Sequence, residues 1–125
     1  MTAIRNKDLP VALVDLMEGP RPPEHFVSNG CTCSPDYVGH HDLRAACHWH
    51  DYAYSRGGSE ADREEADYAF ARNLERCGLH CPYVGIYFRR VRLLGIDLFP
   101  YDEPLSKWGR LYLRLRVFFT RCLRW

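Results

Sequence analysis

Between residues 43 and 76 apolar side chains return at a spacing that helices satisfy and strands do not. Leu43, Ala46, Cys47, His50 and Tyr54 stand at i, i+3, i+4, i+7 and i+11, the pattern of one helix face. The stretch SRGGS ends that run at Gly57-Gly58, a pair that costs a helix backbone entropy. Ser59 with Asp62 three residues on has the form of a capping box, so a second helix is predicted to start there. Its inward stripe is Phe70, Ala71 and Leu74, and it runs to about Arg76 before Cys77-Gly78 stops it. A third helical stretch covers about 82–94. Upstream, Asp8 is predicted to cap a short helix with Pro10 in its first turn, ending at Gly19-Pro20. Pro20, Pro22 and Pro23 make the next segment a connector, and SNGCTCSPDYVGHH reads as a turn-rich loop. No strand is predicted in the first 95 residues. The pattern describes an all-α single domain over 1–125 whose two long helices, joined by a short turn, lie antiparallel.

That layout makes a geometric prediction. His50 lies seven residues before Gly57 and Asp67 ten after it, which puts both at similar heights in the hairpin. Asp67 falls on the Phe70, Ala71 and Leu74 stripe, where a carboxylate is costly unless partnered. His50 is the natural partner. The competing reading makes Asp67 a solvent-edge residue of the acidic run EADREEAD.

Charge and cysteine content change the picture in two ways. Formal net charge is +1, but residues 1–81 carry 8 basic against 13 acidic side chains, and residues 82–125 carry 9 against 3. A basic C-terminal third suits an anionic surface, or is a solvated basic helix. Six cysteines in 125 residues suggest an oxidising compartment or a metal site. The N-terminus, MTAIRNKDLPVALVDLMEG, does not read as a signal peptide, because its apolar run is short and broken by Pro10 and Asp15. No run is long and uncharged enough to span a bilayer.

The segment ACHWHDYAY concentrates the candidate chemistry. A histidine held by an aspartate is a general base with a fixed tautomer. Asp51 points about 100° around the helix from His50 and shares a side with Cys47. If Cys47 bonds a cysteine of the NGCTC loop, loop carbonyls come beside the Asp51 carboxylate, and such hard oxygens suit calcium.

At this point the residues resemble a family. CHWHDYAY is similar to the active-site helix of secreted phospholipases A2, above all the small bacterial and fungal type. Cys31, Pro35-Asp36, Ala46-Cys47, His50-Asp51 and Tyr54 follow its order, ADYAF looks like the stretch that supplies the partner of the histidine, and YVGIYFRRVRLLG is similar to its closing aromatic helix. The likeness covers about 26–95. It implies a phospholipase A2-like fold with disulfide-linked long helices. It implies that His50 activates a water, that Asp67 orients His50 with help from Tyr54, and that Asp51, the Gly30 carbonyl and the side chain of Asn29 ligate Ca2+. It also implies a Cys31–Cys47 disulfide, with Cys77–Cys81 as a second. A Cys33–Cys47 bridge is the rival, and Cys122 would pair with the remaining loop cysteine. Asn29 departs from the bacterial type, which has Asp there; the neutral amide should weaken calcium binding. Ala46 and Ala53 stand where the vertebrate enzymes have cysteines.

The tail, LSKWGRLYLRLRVFFTRCLRW (105–125), lies beyond that likeness. Trp108, Leu111, Tyr112, Leu115, Phe118, Phe119, Cys122 and Trp125 form one stripe at helical spacing, with Lys107, Arg110, Arg114, Arg121 and Arg124 mostly opposite. This is the pattern of an interfacial helix, and Trp108, Arg110, Arg114, Phe118 and Trp125 are its expected membrane contacts. The alternatives are a helix packed on the core, or a local strand, since Leu111, Leu113, Leu115 and Val117 alternate with arginines. No nucleic-acid module accompanies the basic residues, and no obligate protein partner is evident.

The expected function is therefore calcium-dependent hydrolysis of the sn-2 ester of membrane phospholipids, releasing fatty acid at an anionic surface, outside the cell or from a virus particle. The alternatives are a phospholipase-like module that binds membranes without catalysis, and a zinc module built from Cys31, Cys33, Cys47, His48 and His50. His25, His40, His41 and His80 read as surface residues, and Trp49 as a partly exposed rim residue.

Overall fold

A computed structural model describes residues 3–31 and 34–119. Its order is a 3-10 turn (Asn6–Asp8), α1 (Val11–Val14), β1 (Tyr37–Val38), β2 (His41–Asp42), α2 (Arg44–Arg56), α3 (Glu60–Arg76), α4 (Tyr83–Leu98) and α5 (Lys107–Phe119). The chain is mostly helical, as its periodicity predicts.

Local chemistry sets the boundaries of the central hairpin. Asp42 accepts the backbone N–H of Arg44 at 3.0 Å, starting α2. Gly57 ends it at φ +66, where a Cβ would meet the Pro100 carbonyl; only glycine allows both. The capping box at α3 is formed as predicted: Ser59 Oγ accepts from Asp62 N at 3.2 Å, and Asp62 accepts from Ser59 N at 2.8 Å. Such a cap contributes about 1 kcal/mol. Ala46 lies against Cys77 while His50 and Tyr54 lie against Asp67, so α2 and α3 run antiparallel.

The main core packs Leu43, the N-cap of α2, and Ala46 of α2 against Phe70 and Leu74 of α3 and Val84 and Phe88 of α4. Burying each large apolar side chain contributes roughly 1.5–3 kcal/mol. A second cluster joins Ile4, Leu9, Val14, Ala45 and Trp49. The N-terminal segment thus covers the outer side of α2, and residues 45–50 are all buried.

Several expectations are corrected. Trp49 is 3% exposed, not a rim residue, because Ile4, Leu9, Val14, Leu13 and Met17 of the N-terminal segment pack with it. β1 and β2 form a two-residue-turn hairpin with Val38 opposite His41; Gly39 at φ +59 supplies the turn, and strands this short carry no readable alternation. The N-terminal helix is shorter than predicted, with Asp8 closing the 3-10 turn and Pro10 itself at the N-cap of α1. Finally, Cys31–Cys47 is formed, but it ties the loop to α2 and does not join the two long helices. The Cys77–Cys81 bridge is absent: Cys77 is a free thiol buried at the end of α3, pushed up to about 11 by burial, while Cys81 is exposed beyond the Gly78 turn. Cys33 and Cys122 lie outside the described residues. No helix among the described residues is long and apolar enough to cross a membrane.

Candidate active site

His50 and Tyr54 stand one turn apart on α2, and Arg63 and Asp67 one turn apart on α3. Packing these stripes together brings His50 Nε2 to 2.7 Å from Asp67 Oδ1. Tyr54 donates its hydroxyl to the same oxygen at 2.8 Å. Asp67 is 0% exposed, which rules out the solvent-edge reading.

The other carboxylate oxygen was not legible in advance. Asp67 Oδ2 accepts from Arg92 of α4 at 2.7 Å and from Arg63 at 3.4 Å. Glu60 binds Arg63 through both oxygens, at 2.7 and 3.0 Å, and also accepts from Arg92 at 3.0 Å. Tyr101 donates to Glu60 at 2.7 Å. Two arginines thus face two carboxylates, and the fully buried Arg63 guanidinium is compensated rather than orphaned. Burial would push the Glu60 carboxyl up, but the Arg63 pair and the Tyr101 hydrogen bond outweigh it and hold it below the usual range. Burial first, and then the Asp67 charge, push the Tyr54 phenol far up, so it stays a donor. Arginine and tyrosine hydroxyl donors leave Asp67 only the accepting role. Nε2 of His50 therefore carries the proton and Nδ1 keeps its lone pair. The ring is flanked by Tyr54 and Phe70, centroids 4.3 and 4.5 Å away.

His50 also lines a cleft of about 70 Å3 together with Gly30, Cys31, Asp51 and Tyr54. Burial pushes the Asp51 carboxyl up to about 6; the His50 charge opposes this and the Asp36 carboxylate adds to it. Asp36 also organises the loop, accepting from Cys31 N at 2.8 Å. Gly30 sits at φ +82, and a Cβ there would come within 2.6 Å of Asp36 Oδ1, so the loop requires glycine at this point. Tyr87 of α4 donates to the Pro35 carbonyl at 2.8 Å and pins the same loop.

These donors fit a hard divalent cation in kind: carboxylate and carbonyl oxygens, with excess negative charge. The described residues contain no cluster of three or more His, Cys, Asp or Glu side chains suited to a metal. A site of one or two carboxylates plus backbone carbonyls is not such a cluster. Asn29 is exposed and does not line the cleft, so of the three expected ligands Gly30 and Asp51 are brought together and Asn29 is not.

Other candidates are resolved by their surroundings. His48 is fully buried, with Nε2 2.9 Å from Asn6 Oδ1 and Nδ1 2.6 Å from Ser28 Oγ. Asn6 Oδ1 can only accept, so Nε2 donates and Ser28 donates to Nδ1. That histidine is a neutral tie to the N-terminal segment, and burial holds its pKa down. With Cys31 bonded to Cys47, three of the five expected zinc ligands are committed elsewhere. A larger polar groove of about 650 Å3 lies between Glu18–Pro20 and the α2–α3 hairpin; it reaches His50 and Phe70 but not Asp51 or Gly30.

In α5 the predicted stripe is helical and faces outward. Trp108, Tyr112 and Phe118 are 76%, 61% and 68% exposed, while Leu113 on the opposite side is buried against α4. Arg110 and Arg114 pair with Asp97 at 3.2 and 2.8 Å. The helix therefore does not use its larger apolar face for core packing. Trp125, Arg121 and Arg124 lie outside the described residues.

Comparison with protein-family models, with curated proteins and with solved structures finds no match to this chain in any of the three.

Proposed function

We propose that the protein is a calcium-dependent phospholipase A2 with a phospholipase A2-like fold, hydrolysing the sn-2 ester of membrane glycerophospholipids. The observation that carries this reading is the His50–Asp67–Tyr54 set, in the spacing of that family's helix, opening on a cleft shared with Asp51 and Gly30.

In the first step His50 Nδ1 takes a proton from water as the water oxygen adds to the ester carbonyl. Asp67 keeps the imidazole in the productive tautomer and stabilises the imidazolium that forms. Tyr54, and Arg92 through Oδ2, keep Asp67 from turning. His50 then returns the proton to the departing glycerol oxygen, leaving a fatty acid and a lysophospholipid. Asp51 and the Gly30 carbonyl, which line the cleft, would hold Ca2+, and the Asn29 amide oxygen would join them only if its loop turned inward. When bound, the ion supplies Lewis-acid polarisation of the ester carbonyl and counter-charge for the oxygen that becomes negative.

Substrate of this kind lies in a membrane. The outward stripe of α5, Trp108, Leu111, Tyr112, Leu115 and Phe118, flanked by Lys107 and Arg116, suits an anionic bilayer surface. Arg110 and Arg114 join it when their exposed, weak pairs with Asp97 open. An enzyme rich in cysteine and directed at membranes acts outside the reducing cytosol, at an extracellular surface or from a virus particle.

The test is release of fatty acid from mixed phospholipid vesicles, with calcium and with excess chelator. Release of the sn-2 chain only with calcium is the expected result. No release under either condition, from folded and oxidised protein, would leave a membrane-binding module without catalysis.

A further inference from the structure

One stripe of α4 is not used by this mechanism. Arg90, Leu94 and Leu98 are four residues apart and therefore share a face, extending about 12 Å along the helix. All three border the cleft that holds His50, Asp51 and Gly30. Leu94 and Leu98 are 45% and 62% exposed. Single exposed leucines are ordinary. Here two stand in line with a cation at the mouth of the candidate site, and the helix already has an inward apolar face in Val84, Tyr87, Phe88 and Ile96.

The stripe also has a direction. Arg90 donates to Ser34 Oγ at 3.3 Å, so its guanidinium lies over the loop that follows Gly30 and Cys31. Leu98 is at the far end, two turns away. A molecule lying along this face meets a positive charge first, beside the loop, and apolar surface afterwards. That order is the chemistry of an anionic amphiphile: a phosphate near the loop and a hydrocarbon chain running along α4. Guanidinium matches phosphate through paired N–H donors.

Resting on the phospholipase reading, we infer that Arg90 takes the substrate phosphate and that Leu94 and Leu98 carry the start of an acyl chain, so that Arg90 sets the preference for phospholipid over phosphate-free lipid. Arg90 is a binding and specificity residue; the bond-making groups remain those around His50.

The test uses a short-chain diether phosphatidylglycerol below its micelle concentration, in calcium buffer, titrated calorimetrically into the full chain. A diether cannot be hydrolysed. Arg90→Gln is expected to weaken binding about tenfold, and Arg90→Lys by less. Leu98→Ser is expected to weaken both this lipid and the phosphate-free dihexyl glycerol, whereas Arg90→Gln leaves the latter unchanged. Equal binding of the phospholipid by wild type and Arg90→Gln overturns the assignment, as does equal loss of the phosphate-free ligand. Arg90 is exposed, so its variants should fold, and circular dichroism verifies this. The two readings fail separately. Diether binding sensitive to Arg90 without hydrolysis of the matching ester defeats the phospholipase and leaves the subsite. Hydrolysis with an unchanged KM in Arg90→Gln does the reverse.

Discussion

The two sides of His50 are built by different means. On the Nε2 side three helices converge: Tyr54 from α2, Asp67, Arg63 and Glu60 from α3, and Arg92 from α4. Every charge there has an opposite charge in contact, and no buried polar side-chain atom among the described residues lacks a partner. On the other side stand a loop and one carboxylate. Burial and the Asp36 carboxylate raise the cost of ionising Asp51, and Asp51 has no ion pair or hydrogen bond among the described residues. One half of the site is electrostatically closed and serves the fold as well as the chemistry. The other half has excess negative charge, so its residues should matter for binding and little for stability.

The largest expected effect breaks the closed half. Asp67→Ala leaves Arg63 and Arg92 to share Glu60 as their one remaining carboxylate, and His50 without its acceptor. Removing one partner of a buried charged set costs about 3–5 kcal/mol, which urea denaturation would read. Asp51→Asn is the counterpart: stability unchanged or slightly raised, with calcium-dependent hydrolysis lost. If Asp51→Asn destabilised the fold as much as Asp67→Ala, the division between the two halves would be wrong.

Gly95→Ala tests the closed half from α4 without touching a charge. Gly95 is buried in the helix, and a Cβ there would collide with the Tyr54 hydroxyl and come 2.9 Å from Arg63 Nη1. A gain in helix propensity of about 1 kcal/mol should be outweighed by overpacking of about 1–3 kcal/mol. Net loss of stability, with lower hydrolysis than expected from the folded fraction, is the anticipated result. A stabilised and fully active variant would show that α4 can move away from Tyr54 at no cost.

Acid exposes the same half through Glu60. Its carboxyl is held below the ordinary 4.5 because the Arg63 pair and the Tyr101 hydrogen bond outweigh burial. A depressed carboxyl contributes stability that is complete above its unfolded value and lost as pH falls through the folded one. Stability should therefore decline as pH drops below about 4.5, and Glu60→Gln should be less stable near neutrality and decline less in acid. Parallel profiles for the two proteins would mean that Glu60 gains nothing from its arginines.

How much of this was legible in the sequence follows from the same contrast. Helix period, the Gly57-Gly58 break and the Ser59–Asp62 cap are local signals, and the structure places α2 and α3 where they point. Equal heights in a hairpin were enough to pair His50 with Asp67. Arg63, Arg92 and Glu60 were missed because a charge in an acidic helix normally faces water; their burial depends on α4, which lies across them by tertiary packing alone. An arginine on the stripe that carries Asp67, as Arg63 is, was the available signal. The covering of Trp49 was missed for a similar reason, since it depends on Ile4, Leu9 and Val14 from a segment with little periodicity. In α5 both the stripe and the outward face expected of an interfacial helix were legible, whereas the burial of Leu113 on the minor face was not.

The smallest expected effect belongs to the open half. Asn29 is exposed and neutral, beside the Gly30 turn that Asp36 shapes. Asn29→Asp adds a third carboxylate to a region that already holds two. Without a cation it should be neutral or slightly destabilising, by a few tenths of a kcal/mol, since exposed like charges interact weakly. With calcium the sign reverses, because affinity in oxygen-ligand sites rises with ligand charge; a gain of about three- to tenfold is expected by calorimetry. The two measurements together locate residue 29. Tighter calcium with unchanged stability in chelator puts its side chain at the metal, which it would reach by an inward turn of the loop, since it does not line the cleft. Unchanged calcium affinity would leave Asp51, Asp36 and the Gly30 carbonyl as the protein's ligand candidates. A loss of affinity would show that the loop is held by its present neutral residue. In each case the orienting half should not respond, because no hydrogen bond or ion pair among the described residues joins Asp67, Arg63, Arg92 or Glu60 to this loop.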